Sequence, residues 1–520
     1  MRTLRAVLAV ALVGAALTMV AGPAAAHNER SVESPPRPGP WPDVDRVQPH
    51  VVVCKASSEP TASERSTYLN RIAATRGEAR SYWQARLANW KLNAVLWPQC
   101  RFHDIQAAVN AVAGHRDILV MPGEYEEYPS RKAPDLPADG SDGTYSYDFQ
   151  KAHPNAINLV GIIGKPSITL QGTGFDRDDV VIDAGFSKHV GIRVDRSNGF
   201  IARNFTVEHA VEHGLYTIES DTYLYDDVAG KYSGEYQLFG FASDHGIIQN
   251  CEAVGGGDSG IYVGGAPDSG RINTIVQNCR IHHNVLGFSG TNANYVVLRD
   301  NDWYDNATGI VVDAESDHPN YPPGHVRMVG NRVYNNNFNV YSPKSNVKPI
   351  GFTRDTIHAP VGTGIVMASF NHSLIRGNWI WNNHALGIGL SSLEVEDRGA
   401  TATYDTIVGN WMTRPGGIES PNGTDLFWDG IGEGNCWDPN HGASSTPESL
   451  PRCDSAFAEN GLPNPAEPNA QNIAIEGGLI VMDPDKGELV CDHTGTEPCP
   501  SGPGPKEGDN TREGDDPDDY

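Results

Sequence analysis

The sequence predicts an all-β fold, a single-stranded right-handed parallel β-helix solenoid, and three observations predict it. Seven asparagines recur along the chain: Asn204, Asn250, Asn278, Asn301, Asn331, Asn378 and Asn410. Three residues before each stands an aliphatic side chain, namely Ile201, Ile247, Ile275, Leu298, Met328, Ile375 and Ile407. After most of them a glycine opens a short alternating apolar run, as in Gly260-Ile261-Tyr262-Val263 and Gly309-Ile310-Val311-Val312.

Period-two alternation between glycine corners means strands only a few residues long. The asparagine intervals are 46, 28, 23, 30, 47 and 32 residues. The shortest measures one bare coil of three strands and three turns; the longer ones are that coil plus loops. Coils stacked about 4.8 Å apart pair backbone to backbone and set like residues in ladders. Asparagine tolerates the left-handed turn conformation, and its amide can bond to the coil above. Cys251 and Cys279 each follow a ladder asparagine. That places them on adjacent coils, one above the other, as stacked thiols or as a bridge.

The flanks divide the chain further. Arg2 and Arg5, the apolar run Ala6 to Val20 and Ala24-Ala25-Ala26 have the pattern of a secretory signal peptide, residues 1–26. Residues 27–95 are a linker followed by a helical segment, which starts at a capping box of Thr61 and Glu64. The solenoid is expected over 96–430, led in by a short helix near 103–112 and an apolar strand near 117–121. A disulfide-pinned cap should occupy 431–500. The last stretch, 501–520, is Gly, Pro and acid, and should be disordered. Eight cysteines fit an oxidising, extracellular destination, with Cys54–Cys100, Cys436–Cys453 and Cys491–Cys499 as the pairs suggested by proximity.

Charge narrows the partners. The 65 acidic residues against 39 basic ones leave a formal net charge of −26. A field of that sign repels nucleic acid and anionic membranes and favours cations such as calcium. Beyond the leader no apolar stretch is long enough to span a bilayer, so a secreted monomer without membrane insertion is expected.

The opening from Ile105 to Tyr125, with its Pro122-Gly123-Glu124-Tyr125 turn, resembles the start of pectin-lyase-like β-helix proteins. Residues 246–410 resemble the secreted bacterial right-handed parallel β-helix repeat family. The resemblance implies a protein that cleaves, epimerises or binds polysaccharides, or that helps assemble copper sites. Glu315-Ser316-Asp317-His318 only loosely resembles the Asp-Pro-His-Asp run of alginate epimerases. Gly257-Asp258-Ser259 carries one carboxylate where polygalacturonases carry a pair.

Chemistry is sought on loops, and two intervals look like long insertions. The first, about 221–244, is rich in aromatics, with Tyr223, Tyr225, Tyr232 and Tyr236 as candidate sugar-binding rings. Equally, these rings could bury the loop against the stack. The second, about 338–361, carries Lys344, Lys348, Arg354 and His358. Between them lie Asp313, Glu315, Asp317 and His318. Removing the proton beside a uronate carboxylate requires a cation to neutralise that carboxylate and a base. Lys344, Arg354 and His318 are therefore the catalytic candidates, and Asp313, Glu315 and Asp317 a candidate calcium set. The two insertions are expected to flank one groove. Three classes stay open: a polysaccharide lyase or uronate epimerase, a non-catalytic glycan-binding or cell-surface scaffold, and copper handling. The copper reading would use the possible N-terminal His27 and a column of His213, His283 and His384.

Overall fold

This computed structural model describes residues 30–33, 39–132, 144–316, 318–340, 347, 361–392, 401–417, 420–454, 481–483 and 488–490. Its strands follow one another in parallel, coil upon coil, in a sheet of 20 strands and a sheet of 11. The second sheet runs in chain order. From Asn158–Ile163 it passes through His213–Ile218, Tyr236–Phe241, Ser259–Gly264, Leu286–Ser289 and Thr308–Asp313 to Ser445–Thr446. Inward-facing residues of every coil, such as Ile192, Leu215, Leu238, Ile261, Phe288, Ile310, Ile365 and Ile388, form one continuous apolar core. Stacking identical positions is what buries them; a coil alone could not.

The stack begins earlier in the chain than its sequence pattern suggests. His50–Val53 is a strand of the first sheet, paired with Arg116–Val120. The helices Ala62–Ala74 and Gly77–Leu96 then form an excursion before the chain returns at Cys100–Phe102. Thr61 and Glu64 make the expected capping box. The second helix docks through buried Leu87 and Asn93, whose amide donates to Thr173 O at 2.9 Å. Near the start of the described chain, Arg30 reaches the outer face of the second sheet and pairs with Asp195 and Glu219 at 2.8 and 2.7 Å.

The asparagine repeat is real, but it contains a slip of one residue. Asn204, Asn250 and Asn278 occupy the left-handed turn position itself, with φ near +54°. From the next coil on, Asp300, Gly330, Gly377 and Gly409 take that position, and the asparagine follows it. Strand register therefore matches Asn278 to Asp300 and Cys279 to Asn301. Ile247 and Ile275 accordingly stay half-exposed, whereas Leu298, Met328, Ile375 and Ile407 are buried. The corner is shared, so the architecture stands while the alignment shifts.

Cys251 and Cys279 lie on neighbouring coils with Cα atoms 4.5 Å apart and form a disulfide. Cys54–Cys100 and Cys436–Cys453 are also bridged. Cys491 and Cys499, the leader and the acidic tail lie outside the described residues. No helix among the described residues is long and apolar enough to cross a membrane.

Candidate active site on the outer face of the second sheet

The first supposed insertion is a coil. Asp221–Lys231 and Tyr236–Phe241 are strands, and Asp227 occupies the turn position between Asn204 and Asn250. The 46-residue interval is thus two coils of 23 residues, with an aspartate concealing the middle rung. This corrects the aromatic lip. Tyr223 and Tyr225 point into the core, fully buried, and their hydroxyls bond Thr274 Oγ1 at 3.2 Å and Thr217 Oγ1 at 2.6 Å. Neither ring can meet a sugar. Tyr232 lies half-buried at a corner, its ring against Gly255. Tyr236 points outward yet is packed with Tyr216, Phe239, Phe241 and Tyr262. The first interval therefore supplies no aromatic lip to a groove.

The second interval does contain an insertion. Met328 pairs with Ile375, so Asn331 and Asn378 lie one coil apart despite 47 residues. Lys344, Lys348, Arg354 and His358 lie outside the described residues, as does Asp317. The flanks of their segment are anchored: Phe338, Val340, Val347 and Val361 pack with Leu286 and Val311 on the second sheet.

Beside that anchor the outer face gathers titratable groups. Asp258 stands just ahead of Ser259–Gly264, and Asp313 ends the strand two coils on. Tyr262 lies within the electrostatic field of Asp313, Glu315 and Asp258, with Thr291 beside its hydroxyl. The Tyr236 hydroxyl donates to Asp258 Oδ2 at 3.5 Å, and the Thr291 hydroxyl to Asp313 Oδ1 at 3.1 Å. Burial pushes the Asp258 carboxyl up to about 7, reinforced by the nearby Asp313. Burial, then Glu315, raises Asp313 to about 7 as well. Desolvation penalises the charged form of both acids, and neighbouring carboxylates, Asp313 for Asp258 and Glu315 for Asp313, make each harder to ionise. The same burial lifts the Tyr236 and Tyr262 hydroxyls far above 10, so both remain protonated donors.

His318 completes the cluster. Its Nδ1 lies 2.7 Å from Glu315, with side chains 14% and 23% exposed, so this pair forms the accessible rim. The ring also lies edge-on to Phe241, 6.4 Å between centroids. The structure therefore unites Asp313, Glu315, His318 and Tyr236 from the sequence-level candidates, and adds Asp258, Tyr262 and Thr291. Sequence reading noticed Asp258 but saw a lone carboxylate, because its acidic neighbour arrives from two coils away.

Metal ligation finds less support in the described geometry. Three His, Cys, Asp or Glu side chains converge at Cys54/Cys100/His103, Asp183/Glu208/His209 and Asp221/Asp244/His245 among the described residues. None of these groups includes Asp313 or Glu315, whose candidate partner Asp317 lies outside the described residues, and no step below uses a metal. Nor do the histidines make a column. His213 stacks on Tyr236 at 5.2 Å, and the rung above His283 is Asp305.

Residues 190–391 match the family model described as "Right handed beta helix region". The stack is a right-handed parallel β-helix. No curated protein matches the chain in sequence. Among solved structures, this β-helix is similar to the A-module of an Azotobacter vinelandii mannuronan C-5 epimerase. That likeness has 15% identity and TM-score 0.44, covering 66% of this chain and 90% of the other. It is also similar to a pectate lyase, at 14% identity and TM-score 0.37, covering 79% and 84%. An alginate lyase from Paenibacillus sp. matches at 13% identity and TM-score 0.36, covering 63% and 95%. These likenesses concern the fold.

Proposed function

We propose that this β-helix is a secreted enzyme of acidic polysaccharides, a lyase or C5-epimerase working at the outer face of the second sheet. The observation that carries this reading is the pair of carboxyls at Asp258 and Asp313, both raised to about 7, beside an accessible His318–Glu315 pair. Perturbed acids clustered with an oriented imidazole are an arrangement suited to proton transfer.

The chemistry follows from the charges. Glu315 engages Nδ1 of His318, which leaves Nε2 as the base for the C5 proton of a uronate. As C5 loses its proton, charge moves onto the sugar carboxylate. Burial favours the protonated form of both acids, and donating that proton in a hydrogen bond to the carboxylate offsets the charge. Tyr262 and Tyr236 add donors that cannot ionise. Return of a proton to the opposite face of C5 gives epimerisation; departure of the O4 substituent gives elimination. Lys344 and Arg354, carried between anchored Val340 and Val361, are proposed to supply a cation for the same carboxylate.

The test uses the mature full chain with alginate, polygalacturonate and a glucuronan. Elimination is followed by the ultraviolet absorbance of unsaturated uronates, and C5 exchange by deuterium uptake from heavy water. Either signal on one polymer supports the reading, and its loss in His318→Gln assigns the base. Silence in both assays on all three polymers overturns the proposed chemistry.

A further inference from the structure

A cleft of about 540 Å³ opens at a different place, along the first sheet, lined by Trp41, His245, Arg271, Tyr295, His325 and Arg327. That volume suits one or two sugar rings. Three features of its lining have no part in the proposed chemistry on the second sheet. First, Arg271 and Arg327 are both exposed, and among the described residues neither makes an ion pair. Two open guanidiniums in one cleft form a local positive patch on a chain of net charge −26.

Second, the cleft offers rings. Trp41 is 39% exposed and lies edge-on to His245 at 5.0 Å. Tyr295 stacks on His325 at 4.4 Å, and that stack continues to His372 at 5.2 Å. An exposed indole presents an apolar plane to sugar C–H bonds.

Third, the histidine is held from behind. His245 Nδ1 lies 3.2 Å from Asp221 Oδ1 and 3.5 Å from Asp244 Oδ1, with both carboxylates buried. Asp221 and Asp244 lie behind the imidazole, Asp244 also within the electrostatic reach of Arg271, and Asp268 stands on the adjoining exposed turn. What faces the cleft is cationic, hydrogen-bonding and aromatic.

We propose that this cleft is a second carbohydrate site, one that takes a carboxylate-bearing sugar with its carboxylate between Arg271 and Arg327 and its ring on Trp41. It stands apart from catalysis on the second sheet, which a sugar bound here need not touch. Planar guanidiniums match a carboxylate bidentately, a pairing that a neutral sugar cannot offer.

Calorimetry of the mature full chain with digalacturonate, a sulfated disaccharide and cellobiose provides the test, with Trp41 fluorescence as a local reporter. Digalacturonate should bind and change a fluorescence component that Trp41→Phe removes. In Arg271→Gln/Arg327→Gln its affinity at this site should fall about tenfold to a hundredfold, the worth of losing charged hydrogen bonds. If the other face also binds, the stoichiometry drops from two sugars per chain to one. If the other face does not bind, a single site disappears, and this proposal survives the failure of that reading. Unchanged digalacturonate binding in the double variant overturns the proposal. So does equal binding of cellobiose, or binding of the sulfated sugar alone. Both arginines are exposed, so an unaltered circular dichroism spectrum is expected and checks that the variant is folded.

Discussion

Two regions of this β-helix bury polar side chains almost completely, and they treat them in opposite ways. At one corner Asn301, Asn331, Asn378 and Asn410 point inward. Each side-chain oxygen accepts from the backbone of the preceding coil: Asn301 N to Asn331, Asn331 N to Asn378, Asn378 N to Asn410. Each amide donates in turn, as Asn378 does to Met328 O at 2.9 Å and Asn410 Oδ1 at 2.9 Å. On the outer face of the second sheet, Asp258 has one long bond from Tyr236, and its Oδ1 has no hydrogen-bond partner among the described residues. Satisfied burial stiffens a fold; incompletely satisfied burial of an acid stores a perturbed proton equilibrium. The first region is structure, and the second has the signature of chemistry.

That contrast breaks most visibly in activity. Asp258→Asn and Asp313→Asn should each lower the rate on the responsive polyuronate by about a hundredfold to ten-thousandfold, the usual worth of a positioned acid or base. Neither should reduce the thermal midpoint at pH 8, because each removes a buried charge. Full activity in both variants would return the cluster to structure.

The ladder should show the reverse. Asn331→Ala removes the acceptor for Asn301 N, Asn301 Nδ2 and the Trp303 indole, and the donor to Leu298 O. Several buried groups lose partners together, so a loss of about 3 kcal/mol is expected in denaturant unfolding. The pH dependence of catalysis should not move. A loss below about 0.5 kcal/mol would mean that water or a neighbouring coil takes over the amide's role.

What the sequence revealed divides along the same line. The fold was legible because a solenoid repeats its local chemistry, so aliphatic and asparagine positions declare themselves rung by rung. The failures came where one rung used a different residue for the same job. Asp227 in the left-handed position makes two coils look like one long loop, and of the two readings open for its tyrosines, sugar-binding lip or burial against the stack, burial holds for Tyr223, Tyr225 and Tyr236. A second ladder, Asn284, Asn306, Asn336, Asn383 and Asn422, escaped notice although its amides bond in the same way. The site was only half legible. Glu315 and His318 are close in sequence, but the meeting of Asp258 with Asp313 depends on stacking, which no local spacing encodes.

The smallest expected effect is on stability against pH, read as the difference that a single substitution makes to it. Asp258 and Asp313 have folded-state values near 7, above the ordinary carboxylate value of 3.8. Between those limits the folded chain holds protons that the unfolded chain has released. Stability from these groups is therefore greatest below about pH 4, declines as pH rises toward 7, and is level above it. Glu252 has the opposite sign. His282 and the nearby Arg177 help hold its carboxyl far below the usual range, so its contribution is present above the ordinary value of 4.5 and fades progressively as pH falls below it. A comparison of denaturant midpoints at pH 5 and pH 8 samples Asp258 and Asp313 together with the raised carboxyls of Glu127, Asp305 and Asp429, so the change that one substitution makes to the difference is what reads Asp258. Asp258→Asn should flatten the difference relative to wild type, while Asn331→Ala should lower both midpoints without changing it. Should Asp258→Asn leave the difference intact, its carboxyl ionises normally in the folded chain, and the contrast between the two buried regions loses its electrostatic basis.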